Sequence, residues 1–117
     1  MDVRWIGFGE VEVNGRRYDH DLVIERGDVR KRKKGASKDR RDDYGHTPLT
    51  AAEDIPWGGE VLIVGTGAYG SLPVTPDVYE EAGRRGVDVV AEPSEQAIAR
   101  LREIDAQDVY AVLHITC

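Results

Sequence analysis

Val61-Leu62-Ile63-Val64-Gly65-Thr66-Gly67-Ala68-Tyr69-Gly70 places four consecutive branched apolar residues directly before a glycine-rich turn. An apolar run this short, closed by glycine, reads as a buried strand rather than a helix. It shows no polar alternation, so both faces of the strand are expected to be covered, as at the centre of an α/β sheet. The turn that follows becomes a candidate binding loop.

C-terminal to the turn, Thr75 stands before Pro76 and Asp77, the pattern of a helix cap, first position and first turn. Val78, Tyr79 and Ala82 give that helix an inner face, and Gly86 ends it. Val87 to Ala91 reads as a strand. Ser94 is placed as the cap of a second helix reaching about Asp105, with Ala97, Ile98, Leu101 and Ile104 on one face. Val109 to Thr116 is a last strand, apolar on both faces apart from His114 and Thr116. Strand and helix alternation of this kind predicts a largely parallel core with right-handed crossovers.

The N-terminal half reads as hairpins. Gly9 to Val13 alternates, Asn14-Gly15 follows, and Arg16 to Asp19 resumes the extended pattern. Asn-Gly between two such runs predicts a type I′ turn, which needs positive φ at both central residues. Asp21 to Glu25 is a third strand, Arg26-Gly27-Asp28 turns the chain, and Val29 to Lys33 is a polar edge strand whose basic side chains discourage further pairing. Lys34 to Pro48 has no period and reads as a long loop, a length that in compact domains tends to carry function or motion. Thr50-Ala51-Ala52-Glu53 matches a capping box and predicts a short helix, stopped by Pro56-Trp57-Gly58-Gly59. The expectation is a single α/β domain over residues 1–117, in three layers. A central mixed, mostly parallel sheet is flanked by helices, with an N-terminal β-hairpin sheet beside it.

The net charge of −6 over 117 residues conceals a polarity. Arg26 to Arg41 holds nine basic and two acidic residues, a segment of +7, which leaves −13 for the rest. Such segregation points to an anionic partner at one place on an acidic surface. A single cysteine excludes an internal disulfide framework. No segment approaches the roughly 18 apolar residues of a membrane span, and residues 1 to 20 carry Asp2, Arg4, Glu10 and Glu12 in place of a secretory apolar region. A cytoplasmic setting and no membrane association are therefore expected.

Several motifs, in order, resemble a known family. They are Phe8-Gly9 with Asn14-Gly15-Arg16-Arg17-Tyr18, Arg32-Lys33-Lys34 with Ser37-Lys38 and Gly45-His46, and Leu62 to Gly67. Glu92-Pro93-Ser94-Glu95-Gln96-Ala97-Ile98 and Leu113-His114-Ile115-Thr116-Cys117 complete the set. Together they are similar to a small domain of unknown function found in archaea, bacteria and eukaryotes. It includes the adipogenesis-associated domain protein and, more distantly, a mitochondrial assembly factor for respiratory complex I. The closing His-x-Thr-Cys looks more like the archaeal and adipogenesis-associated members. The resemblance implies a three-layer fold around a mixed sheet with an extra small sheet. It implies no established reaction and no cofactor, and suggests action through protein partners.

Three readings of the Gly65 to Gly70 turn stand side by side. It fits G-x-G-x-x-G after a strand, with Glu92 near the place of a ribose-binding acid. A dinucleotide site, however, needs its helix to start within the glycines, and Pro73 and Pro76 delay the helix until Thr75. The turn also reads as a tight crossing of packed elements, or as a nest of N–H groups for a small anion. In the last case Gly65, Thr66, Gly67, Tyr69 and Gly70 are the candidate ligand-binding residues, with Lys38 and His46 as partners if the basic loop folds over them.

The basic run supplies Arg30, Arg32, Lys33 and Lys34 as candidate docking cations for a protein partner. Nucleic acid is disfavoured, because no aromatic residue interleaves the run and the domain is acidic overall. His114 and Cys117 fall on opposite faces of an extended strand, which disfavours a Cys–His pair. His20 and His46 lack metal spacing, and Ser37, Thr47 and Ser71 lack an identifiable base, so no catalytic residue and no metal ligand are assigned. Trp5 and Trp57 read as caps over the core edge. The leading expectation is a non-catalytic domain acting in protein interaction or assembly, with a homo-oligomer left open. The alternative is a small anionic ligand-binding protein, or an uncharacterised enzyme, using the glycine turn.

Overall fold

A computed structural model describes residues 1–117. Eight strands form two sheets. A small antiparallel sheet contains β1 (Val3–Gly7), β2 (Glu10–Val13) and β3 (Arg16–Tyr18) in that order. The larger sheet contains β4 (Leu22–Glu25), β5 (Asp28–Lys31), β6 (Val61–Thr66), β7 (Asp88–Glu92) and β8 (Tyr110–His114), in the order β5-β4-β8-β6-β7.

β6 lies between β8 and β7 and is parallel to both. Leu62 and Val64 pack on one face of the sheet with helix α2 (Pro76–Arg85), while Ile63 packs on the other with helix α3 (Ser94–Leu101) and the small sheet. The strand is thus covered on both faces, as its unbroken apolar run predicts; only Val61, at its start, reaches solvent. This half of the sheet is the parallel core expected from the strand–helix alternation.

The other half differs from the expected hairpin layer. β4 and β5 join the central sheet, because β4 runs antiparallel to β8. The reason is in β4 itself: Leu22, Val23 and Ile24 are consecutive and all buried, Val23 on one face and its neighbours on the other. A strand buried on both sides belongs inside a sandwich of layers. The sheet is therefore mixed, with β5 at its edge where the basic residues suggested an edge.

Two of the three hairpin turns follow directly from their sequences. Asn14 and Gly15 have φ of 52° and 82°, and Arg26 and Gly27 have 52° and 83°, the left-handed pair that a type I′ turn requires. The long segment after β5 is more ordered than its composition suggests. It forms a 3₁₀ helix (Gly35–Arg40) and one turn of helix, α1 (Arg41–Tyr44), closed by Gly45. Thr50 to Glu53 makes a turn rather than a helix, and α3 ends at Leu101, short of Asp105. No helix is long and apolar enough to cross a membrane.

Candidate functional site

Arg32 follows the edge strand β5, and it points inward. Its side chain is 1% exposed. Its Nε and one terminal nitrogen each donate to a Glu53 carboxylate oxygen at 2.8 Å, a bidentate pair. The same terminal nitrogen reaches the Pro48 carbonyl at 3.1 Å, and the other donates to Asp21 Oδ2 at 2.9 Å. Glu53 also accepts from the Ser37 hydroxyl, which lies 2.7 Å from Thr50 Oγ1. This explains why the capping box fails as a helix start: the Glu53 carboxylate is bound to Arg32, across the sheet edge, and is not folded back on its own turn. Burial alone would strip charge from Arg32, but Glu53 and Asp21 outweigh it and raise its pKa above the ordinary arginine value.

Asp21 carries the network to the end of β8. Oδ2 lies 2.9 Å from His114 Nδ1, and Oδ1 accepts the Ile115 N–H at 3.0 Å. Burial raises the Asp21 pKa. His114, the Ile115 N–H and Arg32 lower it by more, so the carboxyl sits below its ordinary value and is ionised at neutral pH. A carboxylate only accepts, so His114 Nδ1 carries the proton between them. His114 Nε2 then faces Thr116 Oγ1 at 3.2 Å.

A cavity of about 500 Å³ opens beside these groups. His114, Thr116 and Cys117 line it at the end of β8, and Lys34, Lys38, Arg41, His46 and Thr47 line it from the segment after β5, together with the inward-pointing Arg32. No aspartate or glutamate side chain lines it. Lys34, Lys38 and Arg41 lie outside every ion pair of the molecule. The 3₁₀ helix and α1 put Lys38 and Arg41 three residues apart, on neighbouring positions of the helical surface.

Lys38 and His46 thus both line one cavity, along with Lys34. The Gly65 to Gly70 turn lies behind its wall and lines none of it. Its N–H groups already have partners. Gly67 donates to Ser94 Oγ at 2.8 Å, Ala68 to the Thr116 carbonyl at 2.6 Å, and Tyr69 and Ser71 to the Cys117 carbonyl at 3.0 and 3.1 Å. Gly70 N–H turns back to Gly67 O. Thr66 is buried at the end of β6, and Tyr69 is 77% exposed. Of the three readings of the turn, the tight crossing of packed elements describes this arrangement. A Cβ on Gly65 would lie 2.7 Å from Ser94 Oγ and 2.9 Å from Leu113 Cδ2. Ser94 serves this crossing rather than capping α3, since its hydroxyl also donates to the His114 carbonyl. Glu92 is held by Arg100 at 2.7 Å.

The other candidate docking cations separate. Arg30 pairs with Glu25 at 2.7 Å and Asp54 at 3.4 Å, Lys33 is exposed, and Arg32 is internal to the protein. An arginine surrounded by two buried or nearly buried carboxylates is held inward by them, so the basic run does not form one surface.

Asp21 and Arg41 have no signal of their own in the sequence, and Glu53 and Thr116 stand out there only as a capping-box member and as part of the closing His-x-Thr-Cys. His114 and Thr116 are two apart, the spacing that places side chains on one face of an extended chain; Asp21 reaches them only through the antiparallel pairing of β4 with β8. Cys117 also reaches the cavity, because regular pairing ends at His114 and the alternation that placed it on the opposite face lapses. No group of three or more His, Cys, Asp or Glu side chains converges as a metal site.

Two solved structures are similar over nearly the whole chain. A conserved hypothetical protein, PH1505, from Pyrococcus horikoshii OT3 is 28% identical, with a TM-score of 0.78 and 100% of both chains covered. A second protein, MT938, is 26% identical, with a TM-score of 0.68, covering 94% of this chain and 93% of its own. Residues 3–114 match the family described as protein of unknown function (DUF498/DUF598), and the chain belongs to that family.

Proposed function

We propose that the protein binds a small multiply charged anion, of the phosphate or dicarboxylate class, in the cavity between Lys34–Thr47 and His114–Cys117. The observation that carries this reading is the concentration of Lys34, Lys38 and Arg41 around one cavity with no aspartate or glutamate side chain in its lining. Cations gathered at one concave place, inside an otherwise acidic protein, raise the local potential and draw an anion in. The buried Arg32–Glu53 pair holds the base of the cavity in place.

Titration calorimetry with inorganic phosphate, pyrophosphate and succinate tests it. Binding of at least one of them is expected, together with a rise in melting temperature, since a ligand selective for the folded state stabilises it. Replacing Lys34, Lys38 and Arg41 together by alanine should weaken that binding at least about tenfold, a loss of about 1.4 kcal/mol. No heat and no thermal shift with any of the three at well above millimolar concentration would end the proposal.

A second reading is favoured by a different observation. Phe8 and Tyr69 are 57% and 77% exposed, with ring centroids 6.0 Å apart, and Ile6 is also exposed. Exposed aromatic side chains of this kind are over-represented among the anchors of protein interfaces. A protein-binding or assembly role, of the sort suggested by the resemblance to the adipogenesis-associated protein and the complex I assembly factor, would use this pair, with the exposed Lys33 as a separate candidate contact. In that case Phe8→Ala with Tyr69→Ala should abolish capture of a partner from a cytoplasmic extract, while Lys33→Glu weakens it. Capture of the same partner at the same yield by all variants would remove these residues as its docking surface.

A further inference from the structure

From the line Asp21–His114–Thr116 at the wall of the cationic cavity, we infer that the protein is a hydrolase of small anionic carboxylic esters, with Thr116 Oγ1 as nucleophile and His114 as its base. The anionic class of the substrate rests on the reading of the cavity given above. The relay itself rests on separate geometry. A nucleophile activated by a base, with the base oriented by a third group, is recognised by contacts of about 2.6–3.2 Å in sequence along the three side chains. Here the two contacts are 2.9 Å from Asp21 Oδ2 to His114 Nδ1 and 3.2 Å from His114 Nε2 to Thr116 Oγ1. The order of residues along the chain is immaterial to such a relay, which recurs on unrelated folds.

The surroundings meet the remaining chemical needs. Asp21 is a positioning residue. Its second oxygen is fixed by the Ile115 N–H and its charge is shared with Arg32, so it holds the imidazole in the tautomer whose Nε2 accepts. Arg32 is in turn neutralised by Glu53. With His114 neutral, these buried groups carry one excess negative charge. A proton taken up by His114 during attack brings them to neutrality, so the imidazolium is stabilised where it forms. His114 and Thr116 both border the cavity, so a substrate held there meets the hydroxyl. The backbone N–H groups of the glycine turn are occupied; Lys34, Lys38 and Arg41, which line the same cavity, are the groups assigned to the negative charge that develops on the carbonyl oxygen.

The reaction balances with water as the second substrate. Thr116 Oγ1 attacks the ester carbonyl carbon and its proton passes to His114 Nε2. The bond from that carbon to the alcohol oxygen breaks, and the alcohol leaves with the proton. Water then gives a proton to His114 Nε2 as its oxygen attacks the acyl carbon. The bond to Thr116 Oγ1 breaks, threonine recovers the proton, and the carboxylic acid is released. No oxidation or reduction is involved.

The test uses the whole chain with the mono-4-nitrophenyl ester of succinic acid, and 4-nitrophenyl acetate as the uncharged comparison. Hydrolysis above the solution background is expected, faster with the succinate. Thr116→Val and His114→Gln should each reduce it by about a hundredfold or more, as loss of a nucleophile or its base does. Thr116→Ser, which restores a hydroxyl, should regain most of it. Acid quenching during turnover, followed by peptide mass mapping, should find one succinyl group on Thr116. An acyl group on Cys117 or a lysine instead, a wild-type rate no higher than background, or a Thr116→Val variant as fast as wild type would each overturn the inference. Peptide mapping of the wild type decides the matter even if a variant fails to fold. Phosphate titration of the wild type separates this inference from the binding proposal, because it reads anion affinity without requiring the relay to act. Phosphate binding without ester hydrolysis sinks the relay alone.

Discussion

Arg32→Ala should destabilise the protein by about 3–5 kcal/mol, the cost of removing one member of a buried ion pair and leaving its partners uncompensated. Glu53 has a side chain 3% exposed, and it loses both bidentate hydrogen bonds. Asp21 loses one of the two cationic or protonated groups that face it. The Pro48 carbonyl loses its donor as well. Urea unfolding at neutral pH gives the magnitude. Lys33→Ala, next in the chain and exposed, should change stability by less than about 0.5 kcal/mol, as surface substitutions usually do. The double variant Arg32→Met with Glu53→Leu should recover part of the loss, because apolar replacement of a whole buried pair is often neutral or better. The pH dependence has a fixed sign. The folded-state pKa of Asp21 lies below its ordinary value of 3.8, so its contribution is complete above that value. It is lost as pH falls through the lowered value, and the stability gap between wild type and Arg32→Ala should narrow over the same range. A loss below about 1 kcal/mol at neutral pH would show that water, not Arg32, solvates these carboxylates.

The parts of this architecture legible in the sequence are those fixed by local rules. Val61 to Val64 are expected to be covered on both faces, because four branched apolar residues in a row leave no polar face for water; Leu62, Ile63 and Val64 are covered, and Val61 at the strand's start reaches solvent. Asn14-Gly15 and Gly86 mark their turns through the backbone conformations that only such residues adopt easily. Lys38 and His46 are expected to join the glycine turn if the basic loop folds over it; they line a cavity to which no residue of that turn contributes. What local rules miss is the use made of a side chain by a distant one. Glu53 had a local role available as the second member of a capping box. It took a non-local one, because burying Arg32 without a carboxylate would cost more than a helix cap gains. Arg32 looked like one solvated cation among five, since nothing in Arg30 to Lys34 marks which side chain turns inward. Asp21 is 93 residues from His114, and only the sheet order brings them together. The glycine turn matched G-x-G-x-x-G, but its N–H groups have partners at Ser94, Thr116 and Cys117, residues no spacing rule connects to it.

That last arrangement gives the second large expected effect. Gly67→Ala should destabilise the protein by more than the roughly 1–3 kcal/mol that a strained backbone position costs by itself. Gly67 has φ of +104°, where an L side chain is strained, and a Cβ there would lie 2.6 Å from the Thr116 carbonyl oxygen and 2.8 Å from that of Cys117. These are backbone atoms, so no rotamer change relieves the contact. Residues 116 and 117 would have to move away, and the bonds they accept from Ala68, Tyr69 and Ser71 would lengthen or break. Gly83→Ala is the internal control. It lies within α2, where an added Cβ meets no atom within 4 Å, and should raise stability by up to about 1 kcal/mol through helix propensity. Because Thr116 and Cys117 form a wall of the cationic cavity, Gly67→Ala should also weaken phosphate binding, whereas Gly83→Ala should leave it unchanged. Both effects are read together from urea unfolding and a phosphate titration of each variant. If Gly67→Ala keeps wild-type stability, the turn is not held against residues 116–117 as described, and the wall of the cavity has no fixed position from which Thr116 can act.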